Sequence, residues 1–173
     1  TLLISSIGIL EDVKKAVSMD VKFENDLVYA VGETSEELGG SEYFSYLGAI
    51  GNNVPKLDGK KAKEIYGKMQ KAIENELIDA AYPTNYGGLG IALAKMAIAG
   101  RLGLDITIPN TMRADYYLFS ESMARFAVTI NPKNKKAFEN SMGNDAQLLG
   151  IVKGNRFIIK NGKKIVDLKI SEM

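Results

Sequence analysis

Between Gly87 and Gly100 the sequence reads GGLGIALAKMAIAG, small and apolar residues interrupted by one charge, Lys95. The pattern predicts a helix running to about Ala99 that is apolar nearly all round, and such a helix is buried rather than laid on a surface. It is too short to cross a bilayer, which takes about 20 apolar residues. The rest of the chain therefore has to enclose it, and its patterning supplies the layers. Strands are predicted at LLISSIGIL (2–10), NDLVYAVGE (25–33), LIDAAY (77–82), LDITI (104–108), RFAVTI (125–130), AQLLGIV, RFIIK and IVDLKI, with a hairpin turn at KNGKK. Helices are predicted at EDVKKAV (11–17), after the glycine turn of ELGGSEYFSYLG, at ADYYLFS as a turn or short helix, and at PKNKKAFENSM (132–142) with Pro132 near its first turn. The clearest helix carries Ala62, Ile65, Met69, Ala72, Ile73 and Leu77 at three- and four-residue intervals, with lysines opposite that read as a solvated face. Strands alternate with helices early and pair as hairpins late. The expected fold is α/β (α+β), a mixed β-sheet covered by helices, in one domain over 1–173.

The residue inventory excludes several kinds of chemistry. With no cysteine there is no disulfide, thiol nucleophile or thiolate metal site, which suits a reducing, cytoplasmic setting. With no histidine the commonest general base and metal ligand are gone, and a Ser-His-Asp triad cannot be assembled. Basic and acidic side chains number 22 and 21, so the balance gives no support to nucleic acid or an acidic membrane as a partner. TLLISSIGIL lacks a basic flank and cleavage signal, and a chain opening on Thr1 reads as the edge of an excised domain or as a processed chain.

Three segments carry groups that chemistry could use. In GGSEYF, Gly39, Gly40 and Ser41 would present backbone N–H groups to an anion at a helix start, or Ser41 would simply cap that helix. In YPTNYGGLG, Gly87 and Gly88 stand where the buried helix begins and suit a phosphate, or merely allow close packing. Their spacing is neither a dinucleotide fingerprint nor a P-loop. In FSESMARF, Glu121 and Arg125 are spaced to pair, and Ser120 and Ser122 can satisfy backbone groups at the join. Glu121 has no partner acid nearby in sequence, so an ion pair or a cap is expected of it before catalysis.

Taken in order, IGILEDVKKAV, DLVYAVGET with ELGGSEY, GGLGIALAKMAIAG and LFSESMARFAV resemble the carboxy-terminal portion of the large synthetase subunit of phosphoribosylformylglycinamidine synthases. The resemblance covers nearly the whole chain, and LGGSEY with LFSES..RF is its most specific part. It also places the chain in the wider AIR synthase-related superfamily. It implies an ATP-dependent carbon–nitrogen ligase of purine biosynthesis that converts formylglycinamide ribonucleotide and glutamine-derived ammonia to the amidine, releasing ADP and phosphate. ATP and magnesium are implied for the full-length enzyme, and none for this piece alone. Implied partners are the amino-terminal part of the same synthetase, with the glutaminase and a small bridging subunit as further ones.

The same resemblance argues against catalysis by this piece. Where relatives carry a His-Asp-x-Ser-Asp/Glu-Gly-Gly pattern, this chain reads Tyr82, Pro83, Thr84, Asn85, Tyr86, Gly87, Gly88. In the family's catalytic half the segment matching ESMARF is Glu-Ser-Gln-Glu-Arg-Met; here Met123 and Ala124 replace the Gln and Glu. Ser120, Glu121, Ser122 and Arg125 therefore read as a pseudo-substrate loop. No catalytic and no metal-ligating residue is expected, and Gly39, Gly40, Ser41, Gly87 and Gly88 remain candidates for nucleotide phosphate. Two other readings stay open: a diverged superfamily enzyme with another substrate, and a non-catalytic scaffold or docking domain.

Overall fold

The computed structural model describes residues 3–173. Seven strands form one mixed sheet: β1 (Leu27–Val31), β2 (Ala80–Pro83), β3 (Leu104–Thr107), β4 (Phe126–Ile130), β5 (Ala146–Val152), β6 (Arg156–Asn161) and β7 (Lys163–Lys169). Their spatial order is β2-β4-β1-β5-β3-β6-β7, and only β3 and β6 run parallel. The helices are α1 (Glu42–Tyr46), α2 (Gly59–Glu74), α3 (Gly88–Gly100), α4 (Ala114–Phe119) and α5 (Lys135–Met142).

Alternation along the strands sorts the core into two layers. Val28 and Ala30 of β1 face α3 and α4, joining Leu89, Leu93, Met96 and Leu118. Tyr29 and Val31 face α2 and α5, joining Ile65, Met69, Phe138 and Met142. Because both faces of β1 are covered, it reads as a continuous apolar run rather than an alternating one. Each fully buried side chain of this size contributes about 1.5–3 kcal/mol relative to exposure.

The glycines at the start of α3 are a steric requirement. Gly88 has φ +67°, and a Cβ there would lie 2.7 Å from the carbonyl oxygens of Leu118 and Ser120. Only glycine allows the end of α4 to lie against the start of α3. On α2, Ala62, Ile65, Met69 and Ala72 are buried as the stripe predicts, with Ile73 half-buried at its margin; Leu77, the last residue of the predicted stripe, lies past the end of the helix and is half-buried. Two of the opposing lysines are not simply solvated. Lys61 pairs with Glu33, and Lys68 reaches Asp145 at 2.5 Å and the Met142 carbonyl at 3.1 Å.

Several expected elements differ. The strand expected at 2–10 does not form: residues 3–10 have no regular structure, and Leu2 lies outside the described residues. A strand needs a ladder partner, and on the outer side of nearby β2 the Ala81 N–H is already donated to the Ser18 carbonyl at 3.1 Å. EDVKKAV yields only a 3-10 turn, Val13–Lys15, with Asp12 accepting from the Lys14 N–H at 2.9 Å. LIDAAY becomes strand only from Ala80, because the Leu77 N–H still bonds the Ala72 carbonyl at the exit of α2. The helix expected over 132–142 divides into a 3-10 turn, Pro132–Asn134, and α5.

Asp26 and Asp79 immediately precede β1 and β2, and in each the Oδ2 atom is buried without a hydrogen-bond partner. Burial first, then repulsion from Asp79, pushes the Asp26 carboxyl up from 3.8 to about 6, with Lys22 opposing. Burial likewise raises Asp79. For an acid with a raised folded-state pKa, the fold favours the protonated form. The stability it contributes is complete below the unfolded value and is lost as pH rises through about 6. A shift of this size corresponds to roughly 3 kcal/mol. Asp26→Asn is expected to be more stable than the wild type near pH 7, with the gap shrinking by about 2–3 kcal/mol towards pH 4. Urea unfolding at both pH values measures it, and a pH-independent gap would refute the assignment.

Candidate functional site

The link from α4 to β4 runs from Ser120 to Arg125, and its polar side chains turn towards two distant loops. The Ser120 hydroxyl accepts from the Glu37 N–H at 3.1 Å, and the Ser122 hydroxyl accepts from the Ser35 N–H at 3.1 Å. Both serines are buried. Between them, Glu121 Oε1 accepts from the Glu42 N–H at 3.0 Å and from the Gly87 N–H at 2.8 Å. One half-buried carboxylate oxygen thus receives amides from the first residue of α1 and from the cap position of α3. Unpaired N–H groups and the helix dipole make such positions favourable for a negative charge.

Of the five glycine-turn candidates only Gly87 donates to this carboxylate, and the amides of the other four are engaged elsewhere within the protein. Gly39 donates to the Asn53 carbonyl at 2.8 Å, Gly40 to that of Ile50 at 2.7 Å, and Ser41 to that of Leu38 at 3.2 Å. The Ser41 hydroxyl caps α1, accepting from the Phe44 N–H at 3.2 Å and donating to the Leu38 carbonyl at 2.7 Å. Gly88 donates to the Asn85 carbonyl at 2.8 Å, leaving Gly87 to Glu121. A phosphate at this junction would take the place that the Glu121 carboxylate holds.

Glu121 and Arg125 do not pair, although their spacing permits it. Ala124 between them adopts φ +55°, and the Arg125 side chain is 1% exposed. Its Nη1 donates to the Ser120 carbonyl at 3.0 Å, while Nε and Nη2 are buried without partners. Burial lowers the guanidinium to about 10, against the opposing influence of Tyr117 and Glu37. Glu37 escaped the sequence reading. It is buried, its N–H is held by Ser120, and its Oε1 accepts from the Lys56 N–H at 3.1 Å. A buried acid within a polar run such as TSEELGG has no periodic signal that separates it from its exposed neighbour Glu36.

Three clefts surround the link. One of about 450 Å³ is lined by Glu37, Lys56, Asp58, Lys61 and Ser122. Another, of about 730 Å³, is lined by Thr34, Lys61, Thr111, Tyr117, Asn144 and Gln147, and the Lys61–Glu33 pair borders both. A smaller apolar one of about 320 Å³ lies between Tyr43, Tyr46, Ile91 and Phe119, where Tyr43 and Phe119 stack with centroids 4.7 Å apart. Among the described residues, no three carboxylates are grouped to hold a metal ion, and Glu121 has one oxygen committed to two amides. No helix among the described residues is long and apolar enough to cross a membrane.

Residues 24–160 match the family described as AIR synthase related protein, C-terminal domain. The chain is 37% identical to the phosphoribosylformylglycinamidine synthase subunit PurL of Caldanaerobacter subterraneus over 177 residues, covering 98% of this chain and 24% of that protein. It thus spans about a quarter of the length of such curated relatives. Among solved structures, Thermotoga maritima PurL complexed with FGAR aligns over 92% of this chain and 29% of its own, with TM-score 0.77 and 16% identity. The E. coli hydrogenase maturation protein HypE aligns over 91% of this chain and 54% of its own, with TM-score 0.63 and 13% identity. At these identities the two structures establish a shared fold.

Glu121→Ala leaves the Glu42 and Gly87 amides without their acceptor and is expected to cost about 2–3 kcal/mol in urea unfolding: one bond to a charged group is worth about 1.5–3 kcal/mol, and the exposed Glu42 amide is largely recovered by water. Glu121→Gln keeps a carbonyl acceptor and should cost roughly half as much. A Glu121→Ala variant as stable as the wild type would show that the carboxylate holds nothing together.

Proposed function

The chain belongs to the AIR synthase related, C-terminal domain family, and on that basis we propose that it works as one domain of a longer phosphoribosylformylglycinamidine synthase. In that role it completes the synthetase fold and supports an active site formed elsewhere in the polypeptide. The proposed activity of the whole is ATP-dependent conversion of formylglycinamide ribonucleotide and ammonia to the amidine, with ADP and phosphate released, in the cytoplasm. Magnesium and nucleotide for turnover are assigned to other parts of the enzyme. The amino-terminal part of the same synthetase is the proposed direct partner, and the glutaminase and bridging subunit complete the assembly.

The observation that carries the structural role is the use made of the FSES segment. Both serine hydroxyls and one Glu121 oxygen accept backbone amides from loops 35–42 and 87. Oε1 of Glu121 is thereby occupied by two fixed backbone donors, a holding role rather than a free acid–base position. Met123 is exposed beside it and offers no polar contact to a substrate.

A second reading is supported by the same geometry. The Glu42 and Gly87 amides converge on one anionic oxygen, so these two amides, at the ends of the Gly39–Ser41 and Gly87–Gly88 turns, are proposed to accept a nucleotide phosphate when Glu121 withdraws. Supporting it, ATP or ADP should raise the thermal midpoint of Glu121→Ala more than that of the wild-type chain. No shift in either protein sets the phosphate reading aside. For the main reading, an ammonia-dependent synthetase assay should show turnover by the full-length enzyme and none by residues 1–173. Turnover by the 173-residue chain alone would overturn the division of roles.

A further inference from the structure

The most exposed apolar surface of the molecule is the segment Leu3–Leu10. Leu3, Ile4, Ile7 and Ile9 are 80–97% exposed and Leu10 is 57% exposed, in a stretch with no regular structure. Isolated exposed apolar residues are ordinary, but five within eight positions are not. Set out as a strand, one face carries Leu3, Ile7 and Ile9. The other carries Ile4 and Leu10 with Ser6 and Gly8, small enough for close packing. That is the pattern of a strand covered on both sides. The chain has no proline before Pro55 to forbid it.

Its own sheet offers it no place. On the outer side of β2, the nearer edge, the Ala81 N–H is bonded to Ser18. The other edge is β7, which presents Lys163, Lys164, Asp167 and Lys169 and lies across the full width of the sheet from β2. Leu10 lines the apolar groove of Tyr66, Met69, Ile73, Pro83 and Phe126, while Leu3, Ile4, Ile7 and Ile9 stay almost fully exposed. The arm is therefore anchored at its Leu10 end and uncovered beyond it.

We infer that residues 3–10 are a strand donated to a sheet edge in the remainder of the parent polypeptide, the occupant that covers them. The relatives are about four times as long as this chain, which spans 24% of their length, so the same molecule has ample chain to supply that edge. Main-chain pairing gives such an addition its affinity, and the alternating Ile and Leu side chains give it register. The inference rests on the proposed membership in a longer synthetase, and it goes beyond it by naming the residues and the mode of docking. It also explains why a strand-coded sequence stays irregular when this chain stands alone.

Amide hydrogen exchange tests it on two proteins, the 173-residue chain and the full-length enzyme. In the chain, the amides of residues 4–10 should exchange at unstructured rates. In the full-length enzyme they should slow by about 100-fold or more, as paired strand amides do. Ile7→Pro, which removes a ladder donor, should reduce that slowing in the full-length enzyme and leave the unfolding of the 173-residue chain unchanged. Unprotected arm amides in a full-length enzyme that still turns over would overturn the strand inference alone. Protected amides in an enzyme without synthetase activity would keep the strand and overturn the activity proposed above. Protection of 4–10 already present in the 173-residue chain would also refute the inference, since the partner edge would then lie within it.

Discussion

Two hydrogen bonds to one oxygen hold the upper end of this fold together. Glu121 Oε1 receives the Glu42 and Gly87 amides, so a link of a few residues between α4 and β4 fixes where both α1 and α3 begin. The serines on either side extend the same logic to the loop after β1. Gly88 makes the arrangement possible, because any side chain there would strike the carbonyls of Leu118 and Ser120. The buried helix, the glycine turn and the polar link therefore form one unit, and changing any of them disturbs the others.

The function proposed follows from that unit. A helix start attracts an anion, and here the anion is part of the chain. The polar groups that would mark an active site are consumed in holding backbone, which suits a domain that supports chemistry next door. The buried guanidinium of Arg125 joins the same unit only through the Ser120 carbonyl. It turns away from Glu121 and leaves two nitrogens unpaired, an unusual cost that the contacts of this chain alone do not offset.

Periodicity made the layers legible. The stripe from Ala62 to Ala72 dictated burial correctly, because a helix face answers to local spacing. The all-round apolar run of α3 did so for Leu89, Ala92, Leu93, Met96 and Ala97, but Ile91, Ile98 and Ala99 are exposed, so that helix is covered on one side rather than all round. Strands 27–31, 104–107 and 126–130 were equally visible. What escaped was set by distant neighbours. Residues 3–10 look like a strand, yet pairing needs an edge that the local sequence cannot supply. Lys61 and Lys68 read as solvated until Glu33 and Asp145 are placed beside them. The Glu121 bonds span 79 and 34 residues, so the sequence marked the carboxylate but not what it holds. Asp26 and Asp79 gave no warning, since two acids before two strands become neighbours only once β4 lies between β1 and β2.

The direct test is detection of nitrogen–carbon couplings across hydrogen bonds by NMR in the isotopically labelled chain. The account predicts that the amides of Glu42 and Gly87 both couple to the side-chain carboxyl carbon of Glu121, and to no other. Coupling of either amide to a different acceptor, or to none while the fold is intact, would contradict it.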